Sequence, residues 1–339
     1  MDKKTSNNSN PMLKEANKRV KDAVDAAKSK WKHHLAIIVS KLNFIPKIAW
    51  RSIREISDGV NGHHIKPTRI AMKLSDGSKS KTDKQHMSVF HPHFKKLYNN
   101  NRPVYANAAD FIAQREIMPS LANDFTWKEF LVVITDLKND KSPGLNGVPP
   151  NAFKCMDDKN LKIVFKFICD FWDAKADYIE WHEGQVVIVP KNGDTSNPNK
   201  WRGINLMDVC SKIFGKMTSN RLYTLLKRHG TKYQFGSTPD VGCQDGSFSI
   251  KSLLHLRRQH NLPTFVAFVD LVKAYDTANH DLLLVILGKY GAPPKLVSAI
   301  RRMYTNLKVI LKIGTETEKN VQTVGVRQGD PMSPVLFLF

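Results

Sequence analysis

The chain has 339 residues, 41% of them hydrophobic and 24% charged, with a formal net charge of +21. That length can bury a large core in more than one subdomain, while the lack of any run of about 18 apolar residues predicts no transmembrane helix and the polar start, Met1 to Pro11, predicts no secretory signal. The charge points to a polyanionic partner, nucleic acid first and an anionic membrane surface second, although it also serves solubility; the excess is heaviest in the first hundred residues, with about 21 Lys and Arg against 8 Asp and Glu.

Residues 1–11 read as a disordered tail. From Met12 to Leu42, Val20, Val24, Ala27, Trp31, Leu35 and Ile38 recur every three or four residues, which predicts a helix with a lysine-rich polar side. A shorter helix over Pro46 to Ile56 ends at Asp58-Gly59. Thr68 to Leu74 and the turn Asp76-Gly77 suggest a hairpin. A helix over 82–98 follows, ending in the linker signal Tyr98-Asn99-Asn100-Asn101.

From about residue 120 the pattern is denser. Thr126-x-x-Glu129 is a capping box, with Phe130, Val133, Ile134 and Leu137 as the apolar stripe behind it. A Gly- and Pro-rich loop spans 141–149. Helices are expected over 159–176, 208–229 (stopped by Gly230), 244–258, 279–290 and 294–306. Strands are expected over 185–189, 264–270, 307–313 and 320–324, and Pro334 to Phe339 begins an apolar helix. Cys155, Cys169, Cys210 and Cys243 form no C-x-x-C pair, so buried free thiols in a reducing compartment are expected. His33-His34, His63-His64 and His91-Pro92-His93 are not paired with cysteine at zinc-ligand spacing.

Two strings carry chemistry. Phe268-Val269-Asp270-Leu271-Val272-Lys273-Ala274-Tyr275-Asp276 follows an apolar run, so Asp270 would leave a buried strand as a carboxylate able to hold a divalent cation; alone, it could equally be a capping Asp. About fifty residues later comes Gly325-Val326-Arg327-Gln328-Gly329-Asp330-Pro331-Met332-Ser333-Pro334, whose glycines permit close backbone approach and unusual dihedrals. Together these strings resemble motifs A and B of a reverse transcriptase, nearest in pattern to the enzymes of non-LTR (LINE-type) retrotransposons.

Upstream strings agree with that resemblance. Val187-Ile188-Val189-Pro190-Lys191-Asn192-Gly193-Asp194 resembles the family's fingers strand and turn. Trp201-Arg202-Gly203-Ile204-Asn205-Leu206 resembles its Tyr-Arg-Pro-Ile-Ser-Leu, with Gly203 in place of the proline. Asn220-Arg221-Leu222 also matches, and Gln234-Phe235-Gly236 resembles the start of Gln-Phe-Gly-Phe-Arg, with Ser237 and Thr238 replacing the last two residues. Lys141 to Pro149 resembles Lys-Ala-Pro-Gly-Pro-Asp-Gly-Ile-Pro, with Asn146 for the usual Asp. Cys155-Met156-Asp157-Asp158 imitates the third motif, but it precedes motif A and lacks apolar flanks; Asp157 and Asp158 read as a helix cap.

The resemblance covers about 125–339 and implies an α+β right-hand polymerase. Its expected organisation is a disordered tail over 1–11, a basic, mostly helical extension over 12–120, fingers over 121–263 and a partial palm over 264–339. The implied reaction is RNA-directed DNA synthesis with Mg2+ or Mn2+, using an RNA template, a DNA primer and deoxynucleoside triphosphates, with no membrane. Asp270 is the implied catalytic and metal-binding carboxylate. Lys191 and Arg202 would hold the triphosphate, Tyr275 would be a steric gate under the sugar, and Gln328 would lie beside the nucleotide. Tyr275 could also be a core ring and Lys191 an exposed turn lysine. Arg327, Gly329, Lys212 and Gln234 are the implied nucleic-acid contacts; Arg327 could instead be a solvated charge.

The family's third motif, a Tyr/Phe-x-Asp-Asp hairpin, does not follow by Phe339, and two ions about 4 Å apart need more than one carboxylate. The expectation is therefore a fragment inactive by itself, with an exposed apolar end at Val335 to Phe339 that favours aggregation. A catalytically dead nucleic-acid-binding remnant and a group II intron maturase stay open as alternatives. Location is left open, with nucleus and cytoplasm implied for an active element's ribonucleoprotein.

Overall fold

The computed structural model describes residues 70–99, 103 and 107–339, together with single positions between Glu15 and His33. The chain divides into two units, Met1–Ile70 and Ala71–Phe339. In the first, the described positions from Glu15 to His33 are helical and exposed, and Arg19 meets Glu15 at 2.7 Å one turn away. The tail over 1–11, the stripe through Trp31 and the helix expected over 46–56 lie outside the described residues.

The second unit is a mixed α/β body. Its sheet contains β1 (Glu183–Pro190), β2 (Trp201–Met207), β3 (Lys308–Ile313) and β4 (Glu316–Val321) in the order β2-β1-β3-β4. β1 and β2 form an antiparallel hairpin, with Val189 opposite Arg202 and Pro190 opposite Trp201. β1 and β3 run parallel, and β3 and β4 are antiparallel. Helix α1 (Asp83–Tyr98) covers one face, where Phe90, Phe94 and Tyr98 pack with Met72, Val186, Val309 and Leu311. Its start follows from a full capping box between Thr82 and Gln85. The preceding turn is a minimal hairpin, a bridge between Lys73 and Lys79 with Gly77 at φ +82°.

The larger core is built by α2 (Trp127–Asp136), α3 (Pro150–Lys154), α4 (Asp158–Trp172), α5 (Ile179–His182) and α6 (Val209–His229). The expected capping box at Thr126 and Glu129 is present in α2. Helix α6 is buried nearly all round, down to Gly215, Thr218 and Ser219. An aromatic cluster packs on it: Phe171 lies 4.9 Å from Phe214 and 4.8 Å from Trp181, and Phe125 lies 4.7 Å from Trp172. Arg221 ties α6 to the chain before α2. It donates to the carbonyls of Leu121, Asn123 and Asp124, pairs with Glu129, and stacks 4.1 Å over Phe125. Asp157 caps α4 by accepting from the Asn160 amide at 2.9 Å, so the Asp157-Asp158 pair is a helix start.

Helices α7 (Cys243–Gln259), α8 (His280–Lys289), α9 (Pro294–Tyr304) and the short α10 (Ser333–Leu336) complete the body. Four expectations are corrected. Residues 264–270 form no strand: Phe265 and Phe268 are 96% and 90% exposed. The strands of the sheet pair with one another, so this apolar run has no described ladder to satisfy its backbone and remains in water. The strand expected over 320–324 lies earlier, over 316–321. Its charged residues suit a sheet edge, and the amides of Thr323 and Val324 turn away to the carbonyl of Tyr98. The apolar end is not exposed, for Val335 and Leu336 are buried and Phe337 stacks on Tyr275 at 4.9 Å. Of the cysteines, Cys155 and Cys243 are exposed and only Cys169 and Cys210 are half-buried.

These burials predict different mutational costs. Phe214→Ala should cost about 3–5 kcal/mol, whereas Phe265→Ala should stay within about 0.5 kcal/mol. Urea unfolding of the two variants checks this, and equal costs would contradict the exposed placement of 264–270.

Candidate active site

The two chemistry-bearing strings meet through their backbones. After Asp270 the chain turns at Lys273, which is left-handed at φ 54° and ψ 42°, into a single 3-10 turn over Ala274–Thr277. The Gly325–Pro334 loop lies against that turn. The amide of Val326 donates to the carbonyl of Tyr275 at 2.7 Å, and the amide of Gly325 donates to that of Ala278 at 2.7 Å. His280 Nε2 contacts the carbonyl of Gly325 at 2.8 Å, and Asn279 bridges to Val324. Gly325 has φ +86°, and a Cβ there would sit 2.8 Å from the Asp276 carbonyl. Both its dihedral and its neighbour therefore require glycine.

The same loop is fixed to the sheet. The amide of Asn205 on β2 donates to the carbonyl of Gln328 at 2.7 Å. Gly329, at φ +119°, would put a Cβ 2.5 Å from the Asn205 carbonyl. Gln328 is half-buried at this seam.

Beneath the loop lies a buried ion pair. Arg327 is 3% exposed; its guanidinium meets Asp330 at 2.9 Å and donates to the Trp181 carbonyl at 2.9 Å. Asp330 also accepts from the Met332 amide at 2.9 Å, setting up α10. As placed, Arg327 is neither a solvated charge nor open to a template phosphate: burial against Tyr304 and Asp330 turns its guanidinium inward. Lys212 on α6 lies near Asp208 and Asp330; burial lowers its pKa and the two carboxylates oppose that shift.

The hairpin brings a second set of groups. Lys191 begins the β1–β2 turn, its amide donating to the Lys200 carbonyl at 2.7 Å, and Arg202 is exposed on β2. Lys273 reaches this hairpin: its Nζ donates to Asn199 Oδ1 at 3.0 Å and lies 3.5 Å from His93 Nε2 on α1. Burial, then Lys273 and Lys191, push the His93 imidazole down to about 4. Asp276 is raised by burial, against the pull of the same two lysines. Lys273 and His93 were not singled out in the sequence. Lys273 stands between Asp270 and Tyr275, so its position carried a signal; His93 lies far upstream, where His91-Pro92-His93 is weighed only as a zinc pattern.

The remaining expected residues are more dispersed. Asp270 is exposed on the unpaired segment. Gln234 is exposed, donates to the Gly236 carbonyl at 3.0 Å, and lines a separate cleft of about 770 Å³ with Arg115, Tyr223, Lys227 and Tyr290. No group of three or more His, Cys, Asp or Glu side chains able to hold a metal ion occurs among the described residues. As placed, Asp270 therefore forms no divalent-metal centre with other side chains among the described residues.

Two outcomes follow. Arg327→Ala should cost about 3–5 kcal/mol by stranding Asp330 in the interior, while the salt dependence of RNA binding stays unchanged; a shallower salt slope at unaltered stability would put Arg327 on nucleic acid. His93 binds its proton later in the folded state, at about 4, than in the unfolded state, at 6.5. The unfolded chain thus holds more protons between these values, and stability falls as pH drops through that window. His93→Gln removes this component, so the variant should gain on the wild type between pH 7 and pH 4.5 in urea titrations; a constant difference would contradict a neutral, enclosed His93.

Comparisons with known proteins bear on the segment that holds this site. Residues 189–339 match the family described as reverse transcriptase (RNA-dependent DNA polymerase). The chain is 27% identical over 218 residues to the transposon TX1 uncharacterized 149 kDa protein of Xenopus laevis, covering 64% of this chain and 17% of that protein. It is 26% identical over 197 residues to the Pol polyprotein of the type-2 retrotransposable element R2DM of Drosophila melanogaster, covering 58% and 18%. A Pol polyprotein of the type-1 retrotransposable element R2 of Popillia japonica is 35% identical over 92 residues, covering 26% and 15%. The chain thus spans less than a fifth of the length of these relatives. Both strings lie inside the matched segment, so residues 189–339 are similar to a reverse transcriptase, and the relatives named are proteins of non-LTR retrotransposons.

Proposed function

We propose that this chain serves RNA-directed DNA synthesis for a non-LTR retrotransposon, taking an RNA template, a DNA primer and deoxynucleoside triphosphates. The observation that carries this reading is the backbone lock between the Lys273–Ala278 turn, which follows Asp270, and the Gly325–Pro334 loop, set beside the hairpin of Lys191 and Arg202. Residues 121–263 act as fingers and 264–339 as palm. Residues 83–98 fall in the basic extension of the sequence reading and also cover the sheet, so that extension supports the hairpin directly.

In this reading Lys191 and Arg202 face the triphosphate, and two cations at a hairpin suit a polyphosphate. Tyr275 presents its ring beside the nucleotide. Its stacking on Phe337 at 4.9 Å holds the ring as a wall, which a steric gate needs. Asp270 supplies the acidic group of the motif. Gln328, whose carbonyl is tied to β2, offers its side-chain amide to nucleotide or template. Gly329 brings backbone close to Asn205, and Gln234 and Lys212 are the further nucleic-acid contacts. No helix among the described residues is long and apolar enough to cross a membrane.

The test is primer extension on an RNA template by the full-length product of the gene encoding this chain. Asp270→Asn should reduce extension by at least about a hundredfold, the scale of losing an electrostatic group from the transition state. Arg202→Ala should mainly raise KM for the nucleotide. Salt-sensitive RNA binding with no extension by the unaltered protein would instead support a binding role without catalysis.

A further inference from the structure

Lys273 is the least expected side chain around the Asp270 turn. Its backbone is left-handed, a conformation that costs a non-glycine residue energy and that clusters at functional sites. The turn is maintained by the Asp276 amide donating to the Lys273 carbonyl at 2.9 Å. The ammonium is drawn between an amide oxygen, Asn199 Oδ1 at 3.0 Å, and an imidazole nitrogen, His93 Nε2 at 3.5 Å. No carboxylate forms an ion pair with Lys273 among the described residues.

Three elements converge here: α1 through His93, the β1–β2 turn through Lys191 and Asn199, and the Asp270 turn through Lys273. Lys191 and Lys273 are close enough to oppose each other's charge, and both pull on the single carboxylate of Asp276, itself half-buried. Gathering two ammonium groups with one shared, desolvated carboxylate is costly without an anion. An ammonium has three donors, and the two neutral acceptors leave one direction open. His93 is suited to its place because a neutral imidazole accepts from the ammonium, whereas a charged one would repel it.

We propose that Lys273, seated between Asn199 and His93 beside Lys191, is a phosphate-binding cation for the polyphosphate tail of a nucleoside triphosphate, with His93 as its positioning residue. The inference rests on the polymerase reading for the choice of a nucleotide, and on this geometry alone for a phosphate site. A backbone phosphate of bound RNA carries the same chemistry, so the test separates the two.

The probes are dTTP and a short single-stranded RNA, added to the complete chain without divalent metal. Lys273→Ala should weaken dTTP binding by about tenfold or more, the range of one charge-assisted hydrogen bond. His93→Ala should weaken it by about threefold to tenfold through the displaced lysine, and His93→Gln, which keeps an acceptor, should recover most of that loss. RNA affinity should stay within about twofold, with its salt slope unchanged. Binding is read here without primer extension, so loss of this site and loss of catalysis are distinguished. Thermal melting of each variant identifies unfolding, and Lys273→Arg, which keeps the charge, should retain binding if Lys273→Ala fails to fold. Undetectable dTTP binding by the unaltered chain at millimolar concentration would overturn the proposal. So would dTTP binding indifferent to Lys273, or a loss confined to RNA with a reduced salt slope.

Discussion

Everything in the candidate site depends on how closely three backbone segments approach one another. Gly325 lies against the carbonyl of Asp276, and Gly329 against that of Asn205; at either point a Cβ would stand less than 3 Å from a backbone oxygen. Because no side chain intervenes, the loop can exchange hydrogen bonds with the Asp270 turn on one side and β2 on the other. The Arg327–Asp330 pair then holds the loop from below and joins it to α5. Buried pairs of this kind add little net stability relative to apolar packing. Their value here is geometric, since only one arrangement of the loop satisfies both charges.

That lock sets the electrostatics around it. With Arg327 turned inward, the accessible positive charge beside the Asp270 turn comes from the hairpin and from Lys273. Asp276 counters two lysines at once, and His93 remains neutral because burial and both lysines oppose its protonation. The lysines Lys191 and Lys273 stand at this site, while arginines such as Arg221 and Arg327 secure the interior. This division suits the two side chains: the guanidinium's fixed fork satisfies several buried carbonyls, whereas an ammonium adapts to a mobile anion.

Much of the architecture was legible because local signals coincide with tertiary ones. The capping box at Thr126, the Asp157 cap, the long α6 stopped at Gly230 and the β1–β2 hairpin each combine periodicity with a start or stop residue. Two misreadings share another cause. Residues 264–270 have the composition of a buried strand, but a strand exists only through a partner, and β2, β1, β3 and β4 pair among themselves. β4 is the converse, a polar sequence made into a strand by its register with β3. In the site, Arg327 read as a nucleic-acid contact or a solvated charge because its partner's burial is invisible in sequence. His93 was missed because only the fold brings it to Lys273, 180 residues away.

The central claim is that the Gly325–Pro334 loop and the Lys273–Ala278 turn form one locked unit, adjoining a segment that stays open to water. Hydrogen exchange resolved to single amides measures this directly. The amides of Asn205, Gly325 and Val326 should exchange as slowly as those of the helical core, while those of Phe265 to Asp270 exchange at nearly unprotected rates. Rapid exchange at Gly325 and Val326, or strong protection from Phe265 to Asp270, would contradict the account.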